Sequence, residues 1–362
     1  MEFSILYFSG DGSTTESDKY QLLLETAKLV DKHGFSAVWT PERHFHPFGG
    51  LYPNPSVISA ALAMVTEKIK LRSGSIVMPL QHPVRVAEEW AVVDNLSGGR
   101  VGLSFAPGWH ADDFLLRPEN YAERKEVMWR DIEIMQKLWQ GEEIEFVNGS
   151  GNKVQIKTFP RPIQSQVPIW ITCQADATFI GAAKIGANVL TSLLYATIDD
   201  LAQQISLYRR TLAQHGHDPK SCKVSLMMHT YIGDNEQLVK QQVKQPFCNY
   251  LKTHFGLVEN LAKRINFQFN PENFTEEDRK QLLEFAFERY FQQGRVLIGT
   301  PESCRQTIAR LKEIGVDEIA CLVDFGLDFK TVMTSLNKLT DFKQNYQLRK
   351  DTSKYSSLSL FG

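Results

Sequence analysis

What this chain of 362 residues lacks narrows its chemistry before any motif is read. It has no excess of charge of either sign: 40 Lys and Arg stand against 42 Asp and Glu, a formal net charge of -2. That balance leaves no electrostatic footprint for nucleic acid or an anionic membrane, so neither is expected as a partner. No apolar run approaches the ~20 residues that span a bilayer. The opening residues, Met1-Glu2-Phe3-Ser4-Ile5-Leu6-Tyr7-Phe8, lack the basic start and apolar core of a signal peptide. Cysteine is sparse: Cys173, Cys222, Cys248, Cys304 and Cys321 are odd in number and scattered. They read as buried thiols in a reducing cytoplasm, neither a disulfide framework nor a metal site. Cytoplasmic small-molecule chemistry is the class that survives.

What is present is alternation. Short β-branched or aromatic runs are predicted as strands over 3–8, 35–40, 69–77, 101–105, 169–173, 188–193, 223–232 and 318–323. Helical patterns fall between them, at 17–33, 55–66, 84–96, 120–140, 178–185, 198–214 and 302–314, and 329–346 closes the set. Eight strand-then-helix units without a linker point to one α/β domain, a (β/α)8 TIM barrel over 1–348, with a polar tail over 349–362. An open doubly wound sheet is the rival. Its Gly-rich first turn is only weakly imitated by Ser9-Gly10-Asp11-Gly12-Ser13. Two stretches interrupt the repeat. Residues 142–168, with Gly149-Ser150-Gly151 and Phe159-Pro160-Arg161-Pro162, read as a hairpin or surface excursion. Residues 241–295, helical over 275–290, form a longer insertion after the seventh strand, either a pocket wall or lid, or an assembly element.

In such a barrel the strand C-termini share one mouth, and function belongs there. The second strand leads into Trp39-Thr40-Pro41-Glu42-Arg43-His44-Phe45-His46, and the third into Met78-Pro79-Leu80-Gln81-His82-Pro83. The fourth leads into Ala106-Pro107-Gly108-Trp109-His110-Ala111-Asp112-Asp113-Phe114, and the fifth into Gln174-Ala175-Asp176-Ala177-Thr178 at a helix start. Free N–H groups at a helix N-terminus beside a Thr hydroxyl suit a phosphate, with Arg124 as counter-charge. The same segment also reads as an ordinary helix cap. His44 and His46, with His229 and Asp324, resemble part of a metallohydrolase set, but the other ligands of such a site cannot be placed and no metal is expected. His82, before Pro83, reads as a helix cap.

Several segments in order carry a family resemblance. Phe35-x-x-Val38-Trp39 with Glu42-Arg43-His44-Phe45, the run from Ile76-Val77 to His82-Pro83-Val84-Arg85, Leu96-Ser97-Gly98-Gly99-Arg100-Val101 and Leu297-Ile298-Gly299-Thr300-Pro301-Glu302 resemble bacterial-luciferase-like monooxygenases. The resemblance spans residues 1 to about 345. Thr40 to His46, Gly49 to Pro55 and Pro107 to Phe114 look like its atypical MupA-like branch, associated with polyketide and nonribosomal-peptide biosynthesis.

The resemblance implies a flavin-dependent monooxygenase using reduced FMN, delivered by a flavin reductase, and molecular oxygen. It implies hydroxylation of a natural-product intermediate, free or tethered to a carrier protein, and a homodimer is expected. Position by position, Gly74-Ser75 matches the family's non-prolyl cis peptide beneath the flavin ring, and Ala106 and Trp109 match positions beside it. Tyr121, Arg124, Gln174, Ala175 and Thr178 fall with the cofactor-binding positions. His44 is the leading candidate for proton handling, since an imidazole titrates near neutrality. Arg43 is expected to hold an anionic group, and Glu42 to orient Arg43. Trp109 and His110 are expected to line the catalytic pocket. Bacterial luciferase has a His at the position of Arg43 and its reactive Cys at that of Ala106, so this chain departs from the light-emitting chemistry at both. Two rival functions are hydride transfer with the deazaflavin F420 and a non-catalytic flavin-binding subunit.

Overall fold

The computed structural model describes residues 1–8, 19–45, 50–194, 196–253 and 275–358, as backbone alone at 253, 279 and 347–358. The Gly-rich run 9–13, His46, residues 254–274 of the long insertion and the last four residues lie outside the described residues.

Twelve strands are present among them. They are β1 Glu2–Leu6, β2 Ala37–Thr40, β3 Lys70–Ser73, β4 Ile76–Val77, β5 Val101–Ala106, β6 Ile144–Val147, β7 Lys153–Ile156, β8 Ile169–Thr172, β9 Asn188–Ser192, β10 Val224–Ile232, β11 Leu297–Gly299 and β12 Glu318–Leu322. Eight pair in parallel around a ring, β1-β2-β3-β5-β8-β9-β10-β12, and β12 returns to β1 with Glu2 opposite Glu318 and Leu6 opposite Leu322. The barrel is closed, as the alternation predicts. Its strands are covered on both faces, which is why they read as short continuous apolar runs. The third predicted strand is interrupted: β3 stops at Ser73, the Gly74–Ser75 peptide is cis, and β4 resumes against β5 with Val77 opposite Ala106.

The helices are α1 Gln21–Lys32, α2 Pro55–Ala63, α3 Pro83–Ser97, α4 Arg124–Gln140, α5 Asp176–Lys184, α6 Ile198–Gln214, α7 Glu236–Thr253, α8 Glu276–Gln292, α9 Pro301–Glu313 and α10 Phe329–Leu358. Their starts are written in the chain. Asn54 caps α2 with Pro55 behind it, and Thr197 and Thr300 close capping boxes on α6 and α9. The predicted helix over 120–140 begins later, at Arg124, because short 3-10 turns occupy 111–120. The tail read as a separate polar segment instead continues α10 to Leu358, since residues 347–358 contain neither Gly nor Pro to stop a helix. The excursion over 142–168 contains the β6–β7 hairpin, antiparallel from Ile144 opposite Ile156.

The barrel interior is polar at its centre. Arg72 packs against the rings of Trp39 and Trp170, 4.7 and 4.2 Å from their centroids, and donates to both carboxylate oxygens of Glu318 at 3.0 and 2.8 Å. The hydroxyls of Ser36 and Ser225 each donate to Glu318 at 2.6 Å. Burial pushes this carboxyl up, but Arg72 and the hydroxyls outweigh it and hold the group at about 2. The Ser97-Gly98-Gly99-Arg100 motif is structural. Both glycines take positive φ, 68° and 79°, and the Arg100 guanidinium makes five hydrogen bonds, to Ala63, Thr66, Ile69 and Ser97.

Candidate active site

The strand-exit loops converge on one mouth, and the loop after β2 supplies its most constrained side chain. Glu42 is buried, 4% exposed, although it carries a carboxylate. The Val77 N–H donates to its Oε2 at 2.7 Å, the Gln81 amide donates to Oε1, and His44 Nε2 lies 3.0 Å from Oε1. Glu42 therefore ties the β2 and β3 exits together and holds His44. No hydrogen bond or ion pair joins it to Arg43 among the described residues, so the expectation that it orients Arg43 is corrected.

Arg43 turns elsewhere. It is buried, with its guanidinium 5.6 Å from the Phe8 ring centroid and 5.1 Å from that of Trp109. Burial pushes its pKa down, and the facing Asp113 carboxylate and Tyr250 phenol oppose that shift. Asp113, also buried, stands 3.5 Å from His110 Nδ1, while Trp109 is largely exposed and packs edge-on against His110. The loop after β5 is pinned by Gly108, whose φ is +75° and where a Cβ would stand 2.8 Å from Val77 and 2.9 Å from Phe114.

Deeper in the mouth, Ser75 Oγ lies 2.8 Å from Ser104 Oγ and bonds Thr172 Oγ1, so three strand exits present one hydroxyl cluster. Gly74 passes close to Trp39, where a Cβ would meet the Trp39 Cβ at 3.1 Å, and Ala106 ends β5 with a methyl only. The α5 N-terminus is built as the sequence suggests. Ala175 at the cap has no side chain to satisfy the first-turn N–H groups, and Thr178 sits within that turn. Gln174 donates to Ser192 Oγ at 3.0 Å, and Gln204 bridges the Gln174 carbonyl and Asp176. Arg124 donates to the Tyr121 carbonyl at 3.0 Å and stacks on its ring, yet its buried Nε has no partner among the described residues. It makes no direct bond to Gln174, Ala175 or Thr178. The contact between α4 and α5 is made by the Trp129 ring against Gly181.

The long insertion bears on the same mouth. His229 on β10 is enclosed by the rings of Phe247 and Tyr250 from α7 and by Phe325, at 4.8, 4.4 and 5.5 Å. Phe287 and Tyr290 of α8 pack behind Phe247. Among the described residues the neighbours of His229 include these aromatic rings. His82 accepts from the Val84 N–H at 3.3 Å as the α3 cap. Ser104, Thr172, Gln81 and Tyr250 were not singled out from the sequence. Ser104 and Thr172 had a signal, as hydroxyls within or ending otherwise apolar strands; Tyr250 had none.

An orphaned guanidinium nitrogen and an uncapped helix N-terminus are each suited to a phosphate. The glycine, alanine and hydroxyl-lined floor fits a flat polar ring. Residues 1–318 match the sequence profile described as luciferase-like monooxygenase. The chain belongs to that family. It is 26% identical over 340 residues to the oxygenase component of the flavin-dependent trigonelline monooxygenase of Acinetobacter baylyi, covering 90% of this chain and 89% of that protein. It is 25% identical over 333 residues to an alkanal monooxygenase alpha chain of Photorhabdus luminescens, covering 88% of each. Among solved structures, monooxygenase RslO1 from Streptomyces bottropensis superposes with a TM-score of 0.78 at 22% identity, over 96% of this chain and 100% of that one. The oxygenating constituent of 3,6-diketocamphane monooxygenase from Pseudomonas putida, in complex with FMN, gives 0.74 at 18%, over 93% and 95%. An F420-dependent secondary alcohol dehydrogenase gives 0.65 at 16%, over 91% and 98%. At these identities the structures share the barrel. The family membership makes this chain an enzyme of the flavin-dependent monooxygenase class. None of its described helices is long and apolar enough to cross a membrane.

Proposed function

We propose that this protein is the oxygenase of a two-component system that takes reduced FMN from a separate flavin reductase. Two observations carry this reading, the orphaned Arg124 Nε at the start of α4 and the uncapped α5 N-terminus with Thr178, which together would hold the FMN phosphate. Tyr121, Gln174 and Ala175 would complete that end. Gly74, Ser75 and Ala106 would leave room for the ring, with the Ser104 and Thr172 hydroxyls behind Ser75. When bound there, reduced FMN would supply two electrons to dioxygen, so that one oxygen atom would enter an organic substrate and the other would leave as water. His44 takes up or releases a proton at its free ring nitrogen. Arg43 holds an anionic group of the substrate, with Trp109 and His110 as the pocket wall around it. Phe8, Phe114 and the aromatic face of α7 restrict water.

The substrate class proposed is an intermediate of natural-product assembly, presented free or on a carrier protein, in keeping with the MupA-like character of the β2 and β5 exit loops. A homodimer is proposed on the exposed apolar residues of α2, its C-cap and α3, namely Val57, Met64, Val92 and Leu96. The deciding experiment is anaerobic titration with reduced FMN and reduced F420, followed by 18O2 and a substrate panel that includes trigonelline, an alkanal and a diketocamphane. Tighter binding of reduced FMN and one 18O atom in a product are expected. Tighter binding of F420 with oxygen-independent turnover would refute the assignment. Flavin binding without oxygenation of any candidate would favour a non-catalytic subunit.

A further inference from the structure

We infer that Glu42 is a positioning residue that fixes which nitrogen of His44 handles the proton. This rests on the proposed role of His44 and adds its direction. Glu42 is buried and receives three groups at one carboxylate: the Val77 N–H at Oε2, and the Gln81 amide and His44 Nε2 at Oε1. The Val77 donor is backbone and cannot reverse. An ionised carboxylate only accepts, so Nε2 must carry a proton whether the imidazole is neutral or charged. The neutral ring therefore keeps Nδ1 as its acceptor, and Nδ1 has no hydrogen-bond partner among the described residues. One ring edge is committed to the protein and the other is left for the reaction.

The substitution Glu42→Gln tests this because it retains shape and removes only one acceptor. The Val77 N–H claims the new carbonyl oxygen, so the amide nitrogen faces Gln81 and His44. Gln81 can flip its amide to accept, but His44 can accept at Nε2 only by moving its proton to Nδ1. In 15N NMR of the free protein, with the His44 signals assigned by their loss in His44→Gln, neutral His44 is expected to be protonated at Nε2 in the native chain and at Nδ1 in Glu42→Gln. Turnover with reduced FMN and oxygen should fall about 10²–10⁴-fold, the range of general acid–base catalysis, with the dissociation constant for reduced FMN unchanged. If Glu42→Gln fails to fold, the native tautomer alone decides: Nδ1–H in the neutral native ring overturns the inference. So does a switched tautomer with native turnover. Undiminished turnover in His44→Gln would instead refute the role of His44 itself.

Discussion

Replacing Glu318 by Gln isolates the contribution of the buried Arg72–Glu318 pair in the barrel interior. Glu318 is fully buried on β12, with Arg72 of β3 reaching it across the barrel and the hydroxyls of Ser36 and Ser225 donating to it. Its carboxyl is held at about 2 against an ordinary 4.5. As pH falls, the unfolded chain therefore takes up this proton first. The stabilisation is complete above pH 4.5 and is lost progressively as pH falls through 4.5 towards 2. A difference of that size corresponds to about 3 kcal/mol at neutral pH. Gln retains the volume and can still accept from one serine, while the other must turn to accept from its amide nitrogen, but it leaves the Arg72 guanidinium buried against Trp39 and Trp170 without its counter-charge. Breaking such a pair costs about 3–5 kcal/mol. Denaturant unfolding of the native chain and of Glu318→Gln, at pH 7 and in steps down to pH 2.5, measures both quantities. The variant should be less stable by about 3 kcal/mol at pH 7, and the gap should narrow below pH 4.5 as the native carboxyl protonates. Adding Arg72→Met to Glu318→Gln should recover much of the loss, because the unpaired charge is then gone. A variant within about 0.5 kcal/mol of the native chain at pH 7, or a gap independent of pH from 5 to 2.5, would refute the reasoning.

Arg124→Ala should weaken reduced FMN by about 10–100-fold, the value of a charge-assisted hydrogen bond or two, and leave riboflavin nearly unaffected; fluorescence quenching titrations of the two flavins check this. Equal losses for both flavins would remove the phosphate from Arg124. Gly108→Ala should destabilise the chain by about 2–4 kcal/mol in urea unfolding, combining a left-handed non-Gly residue with overpacking against Val77 and Phe114.

The barrel was legible because each of its strands is buried on both faces and so leaves a short apolar run, punctuated by Asn54-Pro55, Thr300-Pro301 and the glycines after α3 and α4. The α5 N-terminus was legible for a similar reason: its chemistry lies within one contiguous turn. The break at Gly74–Ser75 could be placed only through the family resemblance. Periodicity alone carried one strand through it.

Pairings across the closed barrel were beyond any local pattern. Arg72 and Glu318 are 246 positions apart and meet because β12 closes on β1 and both side chains turn inward. Arg43 faces Asp113 and Tyr250 because three separate strand exits open on one mouth. Even the near neighbours Glu42 and His44 needed the tertiary structure, since their pairing depends on Val77 and Gln81 arriving from the β3 exit to hold the carboxylate. The amino-acid order determines which segments are strands, where helices begin and which residues reach the mouth. Barrel closure decides which of those residues meet, because hydrogen bonds and ion pairs act over a few ångströms whatever their separation along the chain.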